Sequence, residues 1–165
     1  MHPFIPAKFL LLLLIPGWLT YTDQAHKFTI QYPKEWTQQA QGNVLMFLSP
    51  RADATDQFQE NVNIILQDLS AQPMNLEQYT ALSKKQISDA YGANAVISQG
   101  PATIAGQKGE YLIYNMTYNG RSLKIKSYWF IKGKMAYLFT YTAEPPQFEK
   151  YDQTATAIIN SFTFL

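Results

Sequence analysis

At 165 residues, with 47% hydrophobic, 15% aromatic and 15% charged side chains, the chain has material for one core and lacks the polar excess that keeps segments disordered. Thirteen Lys and Arg against twelve Asp and Glu leave a formal charge of +1, which denies it the basic field that non-specific nucleic-acid binding requires. Cysteine is absent, which excludes disulfides, thiol nucleophiles, Cys-ligated metal sites and a lipidated-cysteine anchor.

Residues 1–17 read as a targeting segment. Lys8 is accompanied by no acid, residues 9–15 are an unbroken apolar run with five consecutive leucines, and Pro16-Gly17 follow. That is the order of a secretory signal peptide. The run is well short of the ~20 residues that span a bilayer as a helix. Read otherwise, it is a buried strand or helix of the domain itself. No A-x-A site follows, and Thr20-Tyr21-Thr22 and Asp23-Gln24-Ala25 are poor substitutes, so an uncleaved segment tethering the domain is the alternative to release. Residues 18–165 are expected to form one domain.

Residues 27–32 alternate Phe28, Ile30 and Tyr32 with Lys27, Thr29 and Gln31, the period-two pattern of a strand with one buried face. Pro33 ends it, and Trp36 is expected to pack under the sheet edge. Residues 18–22 suggest a preceding strand, joined through a turn at 23–26. Val44 to Leu48 is a continuous apolar run and reads as buried on both faces. Residues 50–60 are polar and read as loop, after which Val62, Ile64 and Leu66 resume alternation.

Asn75, with Gln78 three residues on, forms a capping box for a helix whose stripe is Leu76, Tyr79, Ile87 and Ala90; Gly92 stops it. From Ala95 to Thr142 the chain reads as a four-stranded meander with turns at 106–109, at Asn119-Gly120, which suits a type I′ hairpin, and at Lys132-Gly133-Lys134. Its strands are apolar on both sides, so both sheet faces need cover. Pro145-Pro146 open a last helix with the stripe Phe148, Tyr151, Ala155, Ile158 and Phe162. The sum is an α+β domain with an antiparallel sheet of six or seven strands and two helices.

The segment from Phe28 through Tyr32-Pro33 to Trp36, combined with Ile158, Ser161, Phe162 and Phe164 at the end, resembles the PsbP-like family. Glu60-Asn61-Val62-Asn63-Ile64, the turn around Gly106, and the meander with Gly120 and Gly133 fall in the family's order. The resemblance covers about residues 18–165. It implies an α/β/α sandwich on a central antiparallel sheet, and a protein that acts by docking, as photosystem II subunits and assembly factors and the Ran-binding Mog proteins do.

Candidate chemistry is sparse. His2 lies in the leader, so Ser-His-Asp catalysis would rest on His26, and a surface turn histidine is its plainer reading. Asp53, Asp56 and Glu60 lie within eight residues on the polar loop and suit a calcium or other divalent cation, although without EF-hand order. Lys124 and Lys126 share a strand face, with Lys132 and Lys134 at the next hairpin. Four ammonium groups gathered at one sheet end would favour docking onto an acidic partner or anionic membrane; ordinary solubilisation is the rival reading. The eleven tyrosines read as core and sheet-face residues, since a stacking surface needs a groove. Asn115-Met116-Thr117 is a glycosylation sequon inside an expected strand.

The expected function is that of an exported, non-enzymatic, monomeric accessory module. It would reside in the periplasm, thylakoid lumen or cell surface and dock onto a membrane protein complex. The alternatives are a stand-alone envelope or stress protein binding a small ligand or ion, and a hydrolase dependent on His26.

Overall fold

Alternating apolar and polar residues build ten strands and two helices in residues 15–165, the part of the chain that the computed structural model describes. Most of the expected leader, residues 1–14, lies outside the described residues. Seven strands form one antiparallel sheet in the order β3-β4-β5-β9-β8-β7-β6. They are β3 (Thr37–Gln41), β4 (Val44–Leu48), β5 (Asn61–Asp68), β6 (Val96–Ile104), β7 (Gln107–Tyr118), β8 (Arg121–Lys132) and β9 (Met135–Ala143). A second sheet orders β1 (Trp18–Asp23), β2 (Phe28–Pro33) and β10 (Thr163–Phe164) with β2 in the middle.

The turns follow their residues. Ala105 and Gly106 both have positive φ, as do Asn119 and Gly120, which is the type I′ requirement. The first of these turns is therefore tighter than the expected 106–109, and Gly109 lies inside β7. Its lack of a side chain has a structural cause: a Cβ there would stand 2.1 Å from the Trp129 carbonyl oxygen on β8.

The capping box forms at the start of α1 (Leu76–Tyr91): Gln78 N–H donates to Asn75 Oδ1 at 2.9 Å, and Asn75 N–H donates to Gln78 Oε1 at 3.0 Å. Gly92 ends the helix at φ 97°. Prolines occupy the first turn of α2 (Pro145–Asn160), whose buried residues are Phe148, Ala155, Ile158 and Ile159. Phe162 lies just past the helix end, yet it is buried against Phe28, Phe130 and Phe139.

The two helices cover opposite faces of the large sheet. On one face, Phe130, Tyr137, Phe139 and Tyr141 meet α2 and the small sheet in the main core, which also holds Trp36, edge-on to Tyr151. On the other, Leu112, Trp129 and Ala136 meet Tyr79 of α1. This is the expected α/β/α layering.

Local expectations change at several points. β2 is buried on both faces, including Thr29 and Gln31. On the second face the Gln31 side chain accepts from the Ile15 N–H at 2.9 Å, while the Gln31 N–H donates to Ser161 Oγ at 2.8 Å along the strand edge. β4 buries only Leu45 and Phe47 fully, because α2's layer covers one face of that sheet edge. β3 carries no apolar alternation; it is a polar edge strand held by its ladder to β4. The Ala90 side of α1 is exposed.

Candidate functional site

The α1 side of the large sheet is thinly covered. One sixteen-residue helix lies over strands of a seven-stranded sheet, and Tyr79 is its one fully buried residue. Two bonds fix it: Tyr79 Oη donates to Gln67 Oε1 at 3.0 Å, and Trp129 Nε1–H donates to Thr80 Oγ1 at 2.9 Å. Tyr79 and Trp129 rings meet with centroids 6.4 Å apart. A helix seated on so few side chains leaves space along its flanks.

Three open clefts border α1. One of about 840 Å³ runs between its N-terminal half and β6–β7, and includes the charged Glu77, Lys84 and Glu110. Another, of about 760 Å³, lies beyond its C-terminus against Asn115 to Thr117. The third, of about 400 Å³, opens along its other flank over β5, β9 and β8. The floor of this third cleft is Ser127, Trp129, Leu138 and Thr140, its helix wall carries Ser83, Gln86 and Ile87, and Tyr91 and Tyr114 stand at one end. Those two rings stack with centroids 6.2 Å apart and planes 19° apart.

No Asp, Glu, Lys, Arg or His lines that third cleft. Burial pushes the Tyr79 and Tyr114 hydroxyls above their ordinary range, so both are neutral groups at any physiological pH. Ser127 and Thr140 on its floor are register partners on adjacent strands, and Asn63 is the next partner on β5, outside the lining. Ser127 and Thr140 hydroxyls lie 3.3 Å apart, while buried Asn63 Oδ1 accepts no hydrogen bond within the protein.

The expected site residues fall elsewhere. Lys124 and Lys126 share the α2 face of β8, as read, but each meets an acid on α2: Lys124 Nζ is 3.2 Å from Glu149 and Lys126 Nζ 2.8 Å from Asp152. Lys124 Nζ also sits 4.1 Å from the centre of the Phe148 ring. Lys132 and Lys134 are at the far end of the strand, eight residues from Lys124 on β8, which is about 26 Å of extended chain. The four do not gather. Lys132 Nζ lies 3.5 Å over the Phe164 ring, and Lys134 faces Asp68, whose pKa its charge helps to lower.

Asp53, Asp56 and Glu60 do not converge either. Asp53 accepts from the Thr55 N–H and hydroxyl, and Asp56 from the Ala52 and Phe58 N–H groups, so both carboxylates close turns of their own loop. Glu60 is instead buried at 3% exposure beside Ser49. Among the described residues no group of three or more His, Cys, Asp or Glu side chains is arranged to hold a metal. His26 is on the exposed β1–β2 turn, with Nδ1 2.9 Å from Asp23.

Sequence reading passes over Tyr91, Tyr114, Ser127, Trp129 and Thr140. The signal available is the surplus of tyrosine on alternating strands; what sequence lacks is the groove.

The sequence profile of the PsbP family matches residues 16–164. The chain belongs to the PsbP family. No curated protein matches it in sequence. Among solved structures, this PsbP-family fold is similar to that of cyanobacterial PsbP, CyanoP, from Synechocystis sp. PCC 6803. The TM-score is 0.61 at 15% identity, covering 93% of this chain and 95% of that one. It is similar to PA94 of Pseudomonas aeruginosa, a putative regulator, with a TM-score of 0.63 at 14% identity over 87% and 94% of the two chains. LpqN of Mycobacterium tuberculosis, involved in cell envelope biogenesis, gives 0.62 at 12% identity over 88% and 89%. At these identities the PsbP-family fold is what is shared. Among the described residues no helix is long and apolar enough to cross a membrane.

Proposed function

We propose that the protein is a non-enzymatic accessory module, exported from the cytoplasm, that docks onto a membrane-associated complex through the α1 side of its large sheet. The observation that supports this surface is the run of open clefts along both flanks of a helix with a single fully buried residue. The α2 side is closed by comparison, its lysines spent on Glu149 and Asp152. A hydrolase reading has little to stand on, since His26 is on an exposed turn with its ring engaged by Asp23. In a photosynthetic cell the complex would be photosystem II, the reading that the likeness to CyanoP supports.

A second reading, a stand-alone envelope protein, draws on the likeness to LpqN, which is involved in cell envelope biogenesis. Site-specific photo-crosslinking in intact cells separates these. A crosslinker at Gln86, on α1, is expected to trap one membrane-complex subunit, whereas one at Lys150 on α2 traps none. Equal capture at both positions, or none, overturns docking through α1.

A further inference from the structure

The cleft between α1 and strands β5, β9 and β8 has a lining that selects a chemical class of ligand. The geometry points to a binding site there for an uncharged, hydroxyl-rich molecule with an apolar face, the chemistry of a neutral sugar. This inference rests on the reading of the α1 side as the binding face and adds what that face holds.

Three observations converge. First, charge is absent: none of the side chains lining this cleft is ionised at neutral pH, unlike those of the neighbouring cleft with Glu77, Lys84 and Glu110. A charged ligand entering it would lose hydration and find no counter-charge. Second, the stacked rings of Tyr91 and Tyr114 stand at one end of the cleft with Tyr91 exposed, a flat surface suited to the C–H face of a pyranose ring, while Tyr79 and Trp129 are buried beneath. Third, the same space has Gln67, Ser83, Gln86, Ser127 and Thr140. Amides and hydroxyls both donate and accept, which is what a ring of hydroxyls requires.

A purely apolar ligand fits less well, because it would cover the exposed Gln67 and Gln86 amides without offering them hydrogen bonds. The volume, about 400 Å³, is at the lower end of small-molecule sites, which span roughly 300–1,000 Å³. Affinity for a single sugar unit is therefore modest, as the cleft is open to solvent.

Titration of the full chain with maltose, cellobiose and N-acetylglucosamine tests the inference, read by the NMR ring resonance of Tyr114, which stands at one end of the cleft. At least one neutral sugar is expected to shift that resonance saturably. Glucuronic acid and glucosamine should bind at least about tenfold more weakly. Gln86→Ala and Tyr91→Ala alter exposed residues, so melting should be unchanged while sugar affinity falls about tenfold, the worth of one good contact.

The inference is overturned if no neutral sugar saturates, if the charged sugars bind as well, if indole binds where sugars do not, or if both variants retain full affinity. Should sugars fail while the Gln86 crosslink still captures its partner, the ligand class is wrong and docking stands. Sugar binding without a crosslink means the reverse: the ligand class stands and docking through α1 is wrong.

Discussion

Trp129 on β8 donates its indole N–H to the hydroxyl of Thr80 on α1, across 2.9 Å and 49 residues of sequence. Trp129 is 1% exposed, so its N–H has no water to turn to if the hydroxyl is removed. Thr80→Val is expected to lower unfolding free energy by about 1–3 kcal/mol in urea titration. Trp129→Phe, which removes the donor and leaves the hydroxyl only partly buried, should cost more through lost volume. Hydrogen exchange in the Thr80→Val variant should rise first in residues 76–91, since few other contacts hold that helix.

Glu60 gives a pH prediction. Burial pushes its carboxyl above the ordinary 4.5; backbone amides of Glu60 and Glu144 pull back less, and the charges of Asp56 and Glu144 add to the rise. A carboxyl raised on folding favours the native state while protonated, and that contribution is lost as pH climbs through the folded pKa. Glu60→Gln should therefore raise the melting temperature at pH 7 and have little effect at pH 4. A variant less stable at pH 7 than the parent would mean that the ionised carboxylate is satisfied.

Lys126 is a structural residue. Burial opposes its charge, but the hydrogen bond it donates to Asp152 and the proximity of Tyr128 outweigh burial and raise its pKa above 10.5. Lys126→Gln should lose about 1–3 kcal/mol, and the parent's own contribution should fade only as pH rises beyond the ordinary lysine range. Lys124→Gln should lose a few tenths at most, because Glu149 is 81% exposed. Thermal melts of the two single variants check the contrast.

Gly109→Ala should destabilise by about 3 kcal/mol or more, beyond ordinary overpacking, because the clash is with the Trp129 carbonyl of the neighbouring strand rather than with a movable side chain. Gly42→Ala, where nothing lies within 4 Å, tests backbone strain alone and should cost less. Comparative urea midpoints suffice.

Processing is constrained by β1. Both weak cleavage candidates, ending at Thr22 and Ala25, fall in β1 or its turn, and all six β1 residues pair with β2. Mass spectrometry of the exported protein should find an N-terminus no later than Trp18, or an intact leader. Recovery of a stable form beginning after Ala25 would show that β1 is dispensable.

Much of the architecture was legible because local rules agreed. The capping box, the Asn119-Gly120 hairpin and the α2 stripe each have one physical reading. β3 was illegible because Thr37, Gln38, Gln39 and Gln41 give an edge strand no apolar period to detect. Gln31 and Thr29 read as a solvent face because nothing in their alternation announces that the segment before β1 returns to cap the Gln31 side chain through the Ile15 N–H. The cleft was hidden for the same reason: its floor and wall come from strands and a helix far apart in sequence. The acids of α2 that neutralise Lys124 and Lys126 lie 25 and 26 residues on, beyond any local pattern.

The central strand of the small sheet is bracketed by the first and last strands of the domain, and Ser161 reaches Gln31 across 130 residues. That sheet cannot close until almost the whole chain is available, and contacts of such separation form late. For a polypeptide threaded through a translocation pore from its N-terminus, β1 and β2 would emerge with no third strand to meet. The domain would stay unfinished, and so threadable, until its final residues arrived; sequence order itself would delay folding until delivery was complete.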